Sequence, residues 1–563
     1  MPGTKPEIEM LNTDILVIGG GSAGCMAAIA ASDAAPDLDI TILEKANIRR
    51  SGTLATGMDA LNIVAVPGLS TPEEYVKGTD LDHLREVIDE DLHYVLAEKS
   101  FAMLKKLEQW GVEFEKDDTG QYVGTPTFYG PYPGNFTILM EGLDLKLILS
   151  REVAKRRITV LNHTITTSLL SDNNSVYGSC GFNIRNGKFI VCSAKAVIMA
   201  AGGCGRFGMP SSGYMYGTFD FPGNAGDGYS MAYRAGAQLR NFEYVQHFVE
   251  IKKLNVPLGK GYDSECETKM INEHGEEIEW RDGSDEDEVK LLLSGESVYE
   301  RFSHLPEEDI KKIEEIWFNS ERKHSIISFF RERKIDIRKD DIEYGFEDIS
   351  LCSGHGSSGI KVDTETATSL KGLYAAGDVA CVPVQYLSGA FVYGEIAGQS
   401  AAKYAEKCNT REIDHELIQN QADKIFAQLD RSDGIKPKDF ELRLRNMITE
   451  YLAPPRNAEK LETALKWIEK FRNEDVENLK VEDLHELGKA VEARFILDCA
   501  EMTARSALKR QETRWGKSDF RTDFPERDDK NWLKFVDLKM DHKTGEMTIF
   551  TSPIKRRKSK EQK

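Results

Sequence analysis

One stretch near the start of the chain, Asp14 to Gly24, constrains the fold more than any other. An apolar run, Ile15 to Ile18, is followed by glycines at positions 19, 21 and 24 and then by an Ala-rich segment. This pattern predicts a strand, a tight turn and a helix whose free N–H groups bind the pyrophosphate of a dinucleotide. The residues predicted to form this part of the site are Gly19, Gly21, Ser22, Ala23 and Gly24.

A carboxylate follows the next predicted strand. Residues 39–43 form a second predicted strand that ends in Glu44, about 20 residues beyond the last glycine. A carboxylate there can accept hydrogen bonds from both hydroxyls of an adenosine ribose, and it repels a 2′-phosphate. Glu44 and its neighbour Lys45 are therefore predicted to lie in the cofactor site. Glycines alone would also fit an ordinary loop, but strand, helix and acid at this spacing together favour dinucleotide binding.

Composition and charge narrow the class of protein. The 563 residues are 40% hydrophobic and 29% charged, which is typical of a globular enzyme of two to four domains. A formal net charge of −20 argues against binding to nucleic acid. The first residues lack the apolar core of a signal peptide, and no apolar run has transmembrane length. We therefore expect a cytoplasmic protein without a transmembrane segment.

The nine cysteines are scattered, with no C-x-x-C pair among them. This distribution argues against a disulfide framework. It also argues against a zinc or iron–sulfur site bound by this chain alone, because ligand cysteines normally come in close pairs. We therefore predict no metal ligands.

Two later segments repeat the pattern of a strand that ends in small residues. One is Ala196 to Gly203, and the other is Gly372 to Asp378. They predict an α/β fold with a discontinuous, Rossmann-like dinucleotide domain that is interrupted by an inserted α+β capping domain and followed by a helical domain. The predicted boundaries are 1–237 and 349–410 for the dinucleotide domain, 238–348 for the cap, 411–515 for the helical domain, and 516–563 for a C-terminal segment with a basic tail.

These pieces together carry a resemblance to a known family. The glycine turn, the Ala200–Gly203 strand end and the Leu373–Asp378 segment resemble the FAD-binding domain of the fumarate reductase and succinate dehydrogenase flavoproteins. Residues 524–533 are similar to the C-terminal signature of that family. The resemblance implies an FAD-dependent oxidoreductase in which Asp378 holds a ribityl hydroxyl. The other site residues that it implies are Ser51, Gly52, Gly57, Ala201, Gly202, Asp227, Gly377 and Ser388.

Two departures from the respiratory members concern the flavin and the substrate. Arg50-Ser51-Gly52 stands where those enzymes carry Arg-Ser-His, whose histidine is attached covalently to the flavin. Since Gly52 cannot make that bond, we expect FAD to be bound non-covalently. The respiratory enzymes also use an arginine to clamp a substrate carboxylate, and residues 383–390 contain none. This absence disfavours fumarate as the substrate.

The sequence is more similar to the α chain of dissimilatory adenylylsulfate reductase. The shared features are residues 50–52, 58–62, 219–220 and 236–243, and more weakly 544–550. In that family a ferredoxin-like subunit supplies two [4Fe–4S] clusters, and the cysteine distribution here fits such a partner. The chain differs at catalytic positions, however. The family arginine falls near Lys252 or Lys253, its tryptophan near Met215, its glutamate near Leu143, and its histidine one residue out of register with His355.

Three residues are predicted to be catalytic. Asn62 matches a family position over the flavin, although a turn-forming asparagine is the alternative. His355 can give or take a proton near neutral pH, or it can simply hydrogen-bond its own loop. Lys252, or its neighbour Lys253, can neutralise an anionic substrate, although surface lysines are common.

Three hypotheses for function follow. The first is an adenylylsulfate-reductase-like flavoprotein subunit that exchanges two electrons between flavin N5 and a small anionic substrate, with an iron–sulfur partner. The second is a stand-alone, fumarate-reductase-like reductase of an activated C=C bond, with His355 as the proton donor. The third is a flavin-bearing assembly subunit that has no substrate of its own.

Overall fold

The computed structural model describes residues 6–557 apart from residues 57, 59, 81–83, 128–133, 143, 173, 219, 255–265, 280–285 and 320–322. The predicted cofactor residue Gly57 therefore lies outside the described residues, as do the family-matched positions Asp59, Leu143 and Phe219. Within the described ranges, none of the helices combines the length and the apolarity needed to cross a membrane.

A seven-stranded sheet lies at the centre of the molecule. Its strands are β1 (Ile8–Ile18), β2 (Ile40–Leu43), β7 (Ile158–Leu161), β8 (Thr164–Ser171), β9 (Val176–Asn183), β10 (Phe189–Met199) and β17 (Leu373–Ala375). They run in the order β7-β2-β1-β10-β9-β8, and β17 also pairs with β10. All of the pairings among β7, β2, β1, β10 and β17 are parallel. The carboxyl ends of β1, β2, β10 and β17 therefore meet at one edge, where open α/β sheets bind their ligands.

Two helices rich in small residues pack together on this sheet. They are α1 (Ser22–Ala34) and α9 (Tyr386–Ala405). A Cβ at Gly394 would lie 2.7 Å from the carbonyl oxygen of Ala23, and one at Gly398 would collide with Ala27. Glycine at these two positions therefore allows the helices to approach closely. The strand, turn and helix predicted from the opening motif are confirmed.

A second, smaller sheet carries the predicted catalytic residue Asn62. It comprises β3 (Ala60–Val64), β4 (Glu113–Phe114), β5 (Gly124–Pro126) and β6 (Phe136–Glu141), with β6 paired to the other three. The helices in this region are α2 (Pro72–Thr79), α3 (Glu90–Gln109) and α4 (Leu145–Ala154). Because α9 packs against both β3 and the central sheet, Asn62 is placed beside the dinucleotide domain.

The inserted cap has a hydrophobic core of its own. The elements of the cap are β12 (Gln246–Ile251), β13 (Lys269–Asn272), β14 (Val298–Arg301), β15 (Ile342–Ser350), α6 (Glu286–Ser294), α7 (Glu307–Asn319) and α8 (Lys323–Arg333). The strands form an antiparallel sheet in the order β12-β15-β14-β13, which is covered by helices, and Trp317 is fully buried between sheet and helices.

The C-terminal region is mainly helical, and its longest helix returns to the central sheet. Its helices are α10 (His415–Phe426), α11 (Pro437–Tyr451), α12 (Ala458–Lys470), α13 (Leu484–Lys509) and α14 (Asp529–Trp532). A further sheet joins β11 (Leu239–Arg240), β16 (Gly359–Ile360), β18 (Lys534–Met540) and β19 (Met547–Pro553). Helix α13 packs against α5 (Asp227–Arg234), at the edge where the parallel strands end. The predicted fold class is confirmed, and the residue boundaries of the domains stay predictions.

Candidate functional site

A cavity of about 470 Å³ opens at the carboxyl ends of the parallel strands. Three segments that are far apart in sequence meet in its wall: Gly19–Ala23, Ala200–Gly202 and Ala376–Asp378. Twelve of the predicted cofactor residues line this cavity, namely Gly19, Gly21, Ser22, Ala23, Glu44, Lys45, Gly52, Ala201, Gly202, Asp227, Gly377 and Asp378. Gly24, Ser51 and Ser388 are not part of the lining.

The glycine turn is shaped by close backbone contacts. Gly19 has a φ of +100°, and a Cβ there would collide with Ala200. A Cβ at Gly24 would collide with the carbonyl of Gly19, so Gly24 permits the packing of α1 on β1 and need not touch the ligand. Helix α1 begins after Gly21 with no side-chain cap and with no acid in its first turn. Its first N–H groups therefore lack a side-chain partner and suit an anionic group.

Glu44 is buried and binds the turn directly. Its Oε2 accepts a hydrogen bond of 2.7 Å from the N–H of Gly20, and its Oε1 accepts one of 2.6 Å from the N–H of Ala46. Each carboxylate oxygen keeps further acceptor capacity. The structure thus places Glu44 in the cavity wall, and its contact with a ribose stays a prediction.

Lys45 belongs to a buried charge network that the sequence did not reveal. Its Nζ lies 2.8 Å from Asp227 and 2.9 Å from Glu492, a residue of α13. The second oxygen of Glu492 binds Arg206 at 2.7 Å. Burial acts to lower the pKa of Lys45, but the two carboxylates raise it above its ordinary value. Lys45 therefore stays charged, and its charge is balanced by protein carboxylates.

Asp378 lies at the end of the third segment. Burial raises the pKa of its carboxyl to about 7, and nearby Asp220 contributes to the rise. The side chain can therefore hold or release a proton near neutral pH. Its position in the wall is compatible with the predicted contact to a ribityl hydroxyl.

Ser51 and Gly52 bring a second small-residue segment against the glycine turn. The Oγ of Ser51 donates to the carbonyl of Gly20 at 3.2 Å. Gly52 has a φ of +78°, and a Cβ there would lie 3.0 Å from the Cα of Gly21. Ser51 thus supports the turn from behind, while Gly52 leaves space in the wall.

The predicted catalytic residue Asn62 contacts the predicted cofactor residue Ser388. The hydroxyl of Ser388 donates to the backbone carbonyl of Asn62, and the Asn62 Nδ2 donates to Thr137 at 3.2 Å. The two candidates are therefore brought together at the junction of β3 and α9.

His355 lies among aromatic side chains beside a strained loop. Its ring centroid is 4.6 Å from that of Tyr386 and 6.0 Å from that of Phe248, each in an edge arrangement. Val384 and Tyr386 have φ values of +49° and +48°, which side-chain-bearing residues rarely adopt. Hydrogen bonds from their N–H groups to Gly356 and Gly354 hold this loop in place. Strain of this kind is characteristic of functional sites.

Lys252 is not brought to the cavity wall. Its Nζ lies 2.6 Å from Glu343, and 43% of its side chain is exposed on the cap. The N–H of Lys253 donates to Ser211 and Glu347. The role of Lys252 in substrate binding stays a prediction without a geometric link to the cavity.

Several residues of the site carried no local signal in the sequence. His485, Lys489 and Glu492 line the cavity from α13, whose sequence pattern indicated only a charged helix. Phe248 and Tyr386 reach His355 from separate segments. Only long-range packing brings these residues together, and the spacing of residues in a single sequence does not report such contacts.

The site combines a glycine turn, a carboxylate at the end of the second strand and a cavity at the edge of a parallel sheet. These features define a dinucleotide-binding protein. Comparison with known proteins makes the assignment specific. The model for an FAD binding domain matches residues 14–252, and the model for the fumarate reductase flavoprotein C-terminal region matches residues 441–563. The chain is an FAD-dependent oxidoreductase that carries both of these domains.

Relatives match over nearly the whole chain. A subunit of the fumarate reductase (CoM/CoB) of Methanothermobacter marburgensis is 28% identical, over 92% of this chain and 96% of the relative. The alpha subunit of the adenylylsulfate reductase of Megalodesulfovibrio gigas is 24% identical, over 98% and 96%. The solved structure of adenylylsulfate reductase from Archaeoglobus fulgidus is 27% identical, with a TM-score of 0.87 and 99% of each chain covered.

The cofactor is therefore FAD, as predicted. The residues that line the cavity fit FAD. The turn leaves N–H groups for the diphosphate, and Glu44 stands where the ribose is expected. The Oδ1 of Asp227 is buried and has no hydrogen-bond partner among the described residues, so it is available to a bound group.

Proposed function

We propose that this chain is the flavoprotein subunit of an oxidoreductase that acts on a small anionic substrate and exchanges electrons with an iron–sulfur subunit. When bound, FAD supplies two-electron chemistry at N5 of its flavin ring. The observation that carries the proposal is the full-length likeness to adenylylsulfate reductase, combined with a cavity that suits FAD.

The protein residues bind and orient the cofactor and handle protons. The glycine turn and Glu44 hold the adenosine diphosphate half, and Asp378 holds a ribityl hydroxyl. Asn62 and Ser388, in contact with each other, position the region where the flavin ring is expected. His355 stands beside the strained loop at the seam between the cap and the dinucleotide domain, where it can hold a proton for the reaction.

The distribution of the cysteines favours an iron–sulfur cluster that is bound by a second chain. Eight of the nine are buried, and their spacing lacks the close pairs that clusters require. The relatives from Methanothermobacter marburgensis and Megalodesulfovibrio gigas are both named as single subunits of larger enzymes. Electrons would then enter or leave through the partner, and this chain would contribute the flavin and the substrate site.

The anionic substrate is suggested by a second solved structure. An adenosine-5-phosphosulfate reductase with a TM-score of 0.87 and 27% identity was determined in complex with sulfite as a covalent adduct. Sulfite is therefore the natural first probe for this chain. Since Lys252 pairs with Glu343, binding of an anion by Lys252 would require that ion pair to open.

The surroundings of His355 favour a second candidate function. Phe248 and Tyr386 give this histidine aromatic walls, which suit the planar C=C bond of an activated substrate. His355 would then donate the proton that completes the reduction. In this case the chain would work without an iron–sulfur partner.

Activity of the isolated holoprotein distinguishes the two functions. The chain should be purified alone, loaded with FAD and assayed anaerobically for reduction of fumarate and other activated C=C compounds, with a reduced dye as the electron donor. The proposed function predicts slow turnover by the isolated chain, no stoichiometric iron, and the appearance of iron when a ferredoxin-like partner copurifies. Fast C=C reduction that is lost in His355→Gln, with flavin content unchanged, would favour the second candidate instead.

A further inference from the structure

Lys146, in α4, is a buried cation next to the glycine turn, and neither the sequence motif nor the cavity lining includes it. Only 4% of the residue is exposed. Its Nζ donates to the carbonyl oxygen of Gly20 and lies 3.6 Å from the Sγ of Cys25. Among the described residues, no carboxylate lies within ion-pair distance of this ammonium. A buried charge without a carboxylate partner is costly, so its presence needs a reason.

The two peptides that meet at Gly20 are both held by side chains. Three donors meet at the Gly20 oxygen: the Lys146 ammonium, the Ser51 hydroxyl at 3.2 Å and the Cys25 thiol at 3.2 Å. On the other side, the N–H of Gly20 is bound by Glu44 at 2.7 Å. The orientation of the turn is therefore set by Glu44 in the cavity wall and by three side chains outside the lining.

This arrangement has a consequence for the next N–H group. In a trans peptide, the carbonyl of Gly20 and the N–H of Gly21 point in opposite directions. Lys146 pulls on the carbonyl from outside the cavity, while Gly21 lies in the cavity wall. A cation at the carbonyl polarises the amide and makes its N–H a stronger donor. The positive end of α1 begins at the same place and carries no acid in its first turn.

The other cations near the cavity either pair with carboxylates or are exposed to solvent. Lys45 is balanced by Asp227 and Glu492, and Lys489 also pairs with Glu492. Arg50 and Arg185 line the cavity and are exposed to solvent, so they are the rival partners for an anionic group. Lys146 is distinguished from these residues by its full burial and its direct bond to the turn.

We propose that Lys146 is the internal cation of the FAD site, which balances the diphosphate charge and orients the Gly20–Gly21 peptide toward it. Lys146 is thus a positioning residue that acts through this peptide and does not touch the cofactor. The proposal rests on FAD binding alone, and it holds whatever substrate the enzyme uses.

Calorimetric titration of the apoprotein with ADP and with adenosine tests this role without any assay of activity. Lys146→Met keeps the length of the side chain and removes its charge. It should weaken ADP binding by about tenfold or more, the loss expected for a charge-assisted contact, and leave adenosine binding unchanged. Lys146→Arg should recover part of the ADP affinity. Lys155→Met is the matched control, because Lys155 lies just after α4, exposed to solvent, and it should bind both ligands as the wild type does.

Thermal unfolding of the apoprotein and of the FAD-bound protein distinguishes a charge-balancing role of Lys146 from a purely structural one. Because Lys146→Met removes a buried charge, the apoprotein should be at least as stable as the wild type, and only the FAD-bound form should lose stability. Equal losses of stability in the two forms would overturn the proposal. Equal losses of ADP and adenosine affinity would do the same. So would an ADP preference that survives in Lys146→Met and disappears in Arg50→Met or Arg185→Met.

Discussion

The ammonium of Lys45 lies 2.9 Å from the carboxylate of Glu492, so the wall of the FAD cavity is closed by a bond between the start of the chain and its C-terminal helical region. Glu492 is 3% exposed and also binds Arg206. The cofactor cavity and the docking of α13 therefore depend on the same carboxylate.

Glu492→Gln should destabilise the protein strongly. The substitution leaves Lys45 with one carboxylate and Arg206 with Glu441 alone, and breaking a buried ion pair typically costs about 3–5 kcal/mol. Denaturant unfolding of the holoprotein measures the change. Glu501→Gln, on the same helix but in a more exposed pair, is the control and should cost far less. A similar small effect for both variants would mean that the network around Lys45 adds little to stability.

Glu44→Ala should weaken the binding of FAD. The variant loses the predicted ribose contact, worth about 1–3 kcal/mol for a charged hydrogen bond, and it also frees the N–H groups of Gly20 and Ala46. Fluorescence titration of the apoprotein with FAD gives the dissociation constant. An unchanged dissociation constant would show that Glu44 is not the ribose ligand.

FAD should leave the protein when it is denatured by acid or heat. The position that carries the flavin-linked histidine in respiratory relatives is Gly52 here, which has no side chain to form the bond. Absorbance of the supernatant after precipitation measures the released flavin. Yellow colour that stays with the washed, denatured protein would contradict a non-covalent site.

The apoprotein should lose stability as the pH rises from about 4 to 7. Burial raises the pKa of Asp378 to about 7, so in this range the folded protein keeps a proton that the unfolded chain releases. One such group contributes a slope of up to about 1.4 kcal/mol per pH unit, and its penalty is complete above pH 7. Unfolding free energies measured across this range should show a smaller decline in Asp378→Asn than in the wild type.

Asp118→Asn, which removes one exposed carboxylate, is the control for that experiment. Identical profiles for the wild type and Asp378→Asn would show that Asp378 ionises normally in the folded protein.

Sequence reasoning predicted those parts of the site that lie within a single unit of strand, turn and helix. The glycine turn and Glu44 were found because a βαβ unit fixes the spacing between them. The Lys45–Glu492 pair and the aromatic partners of His355 join distant units, so no local spacing marks them. Lys146 gave no signal because its role depends on a contact with the carbonyl of Gly20, a group that every residue possesses.

The position of Lys252 shows a second limit of sequence reasoning. Matching a family motif placed a cation at the end of β12, but the structure directs its side chain to Glu343 on the cap. The neighbours of a strand, and hence the ion pairs of its side chains, follow from sheet order and register. A single sequence does not specify either one.

The most direct test of the proposed function is the spectral response of the holoprotein to sulfite and to fumarate, measured anaerobically by stopped flow. The proposal predicts that sulfite diminishes the visible absorbance of the oxidised flavin, whereas fumarate reoxidises the reduced flavin only slowly. The slow reoxidation follows because residues 383–390 provide no arginine to clamp a carboxylate. Fast reoxidation by fumarate, with no spectral response to sulfite, would contradict the proposal and favour C=C reduction with His355 as the proton donor.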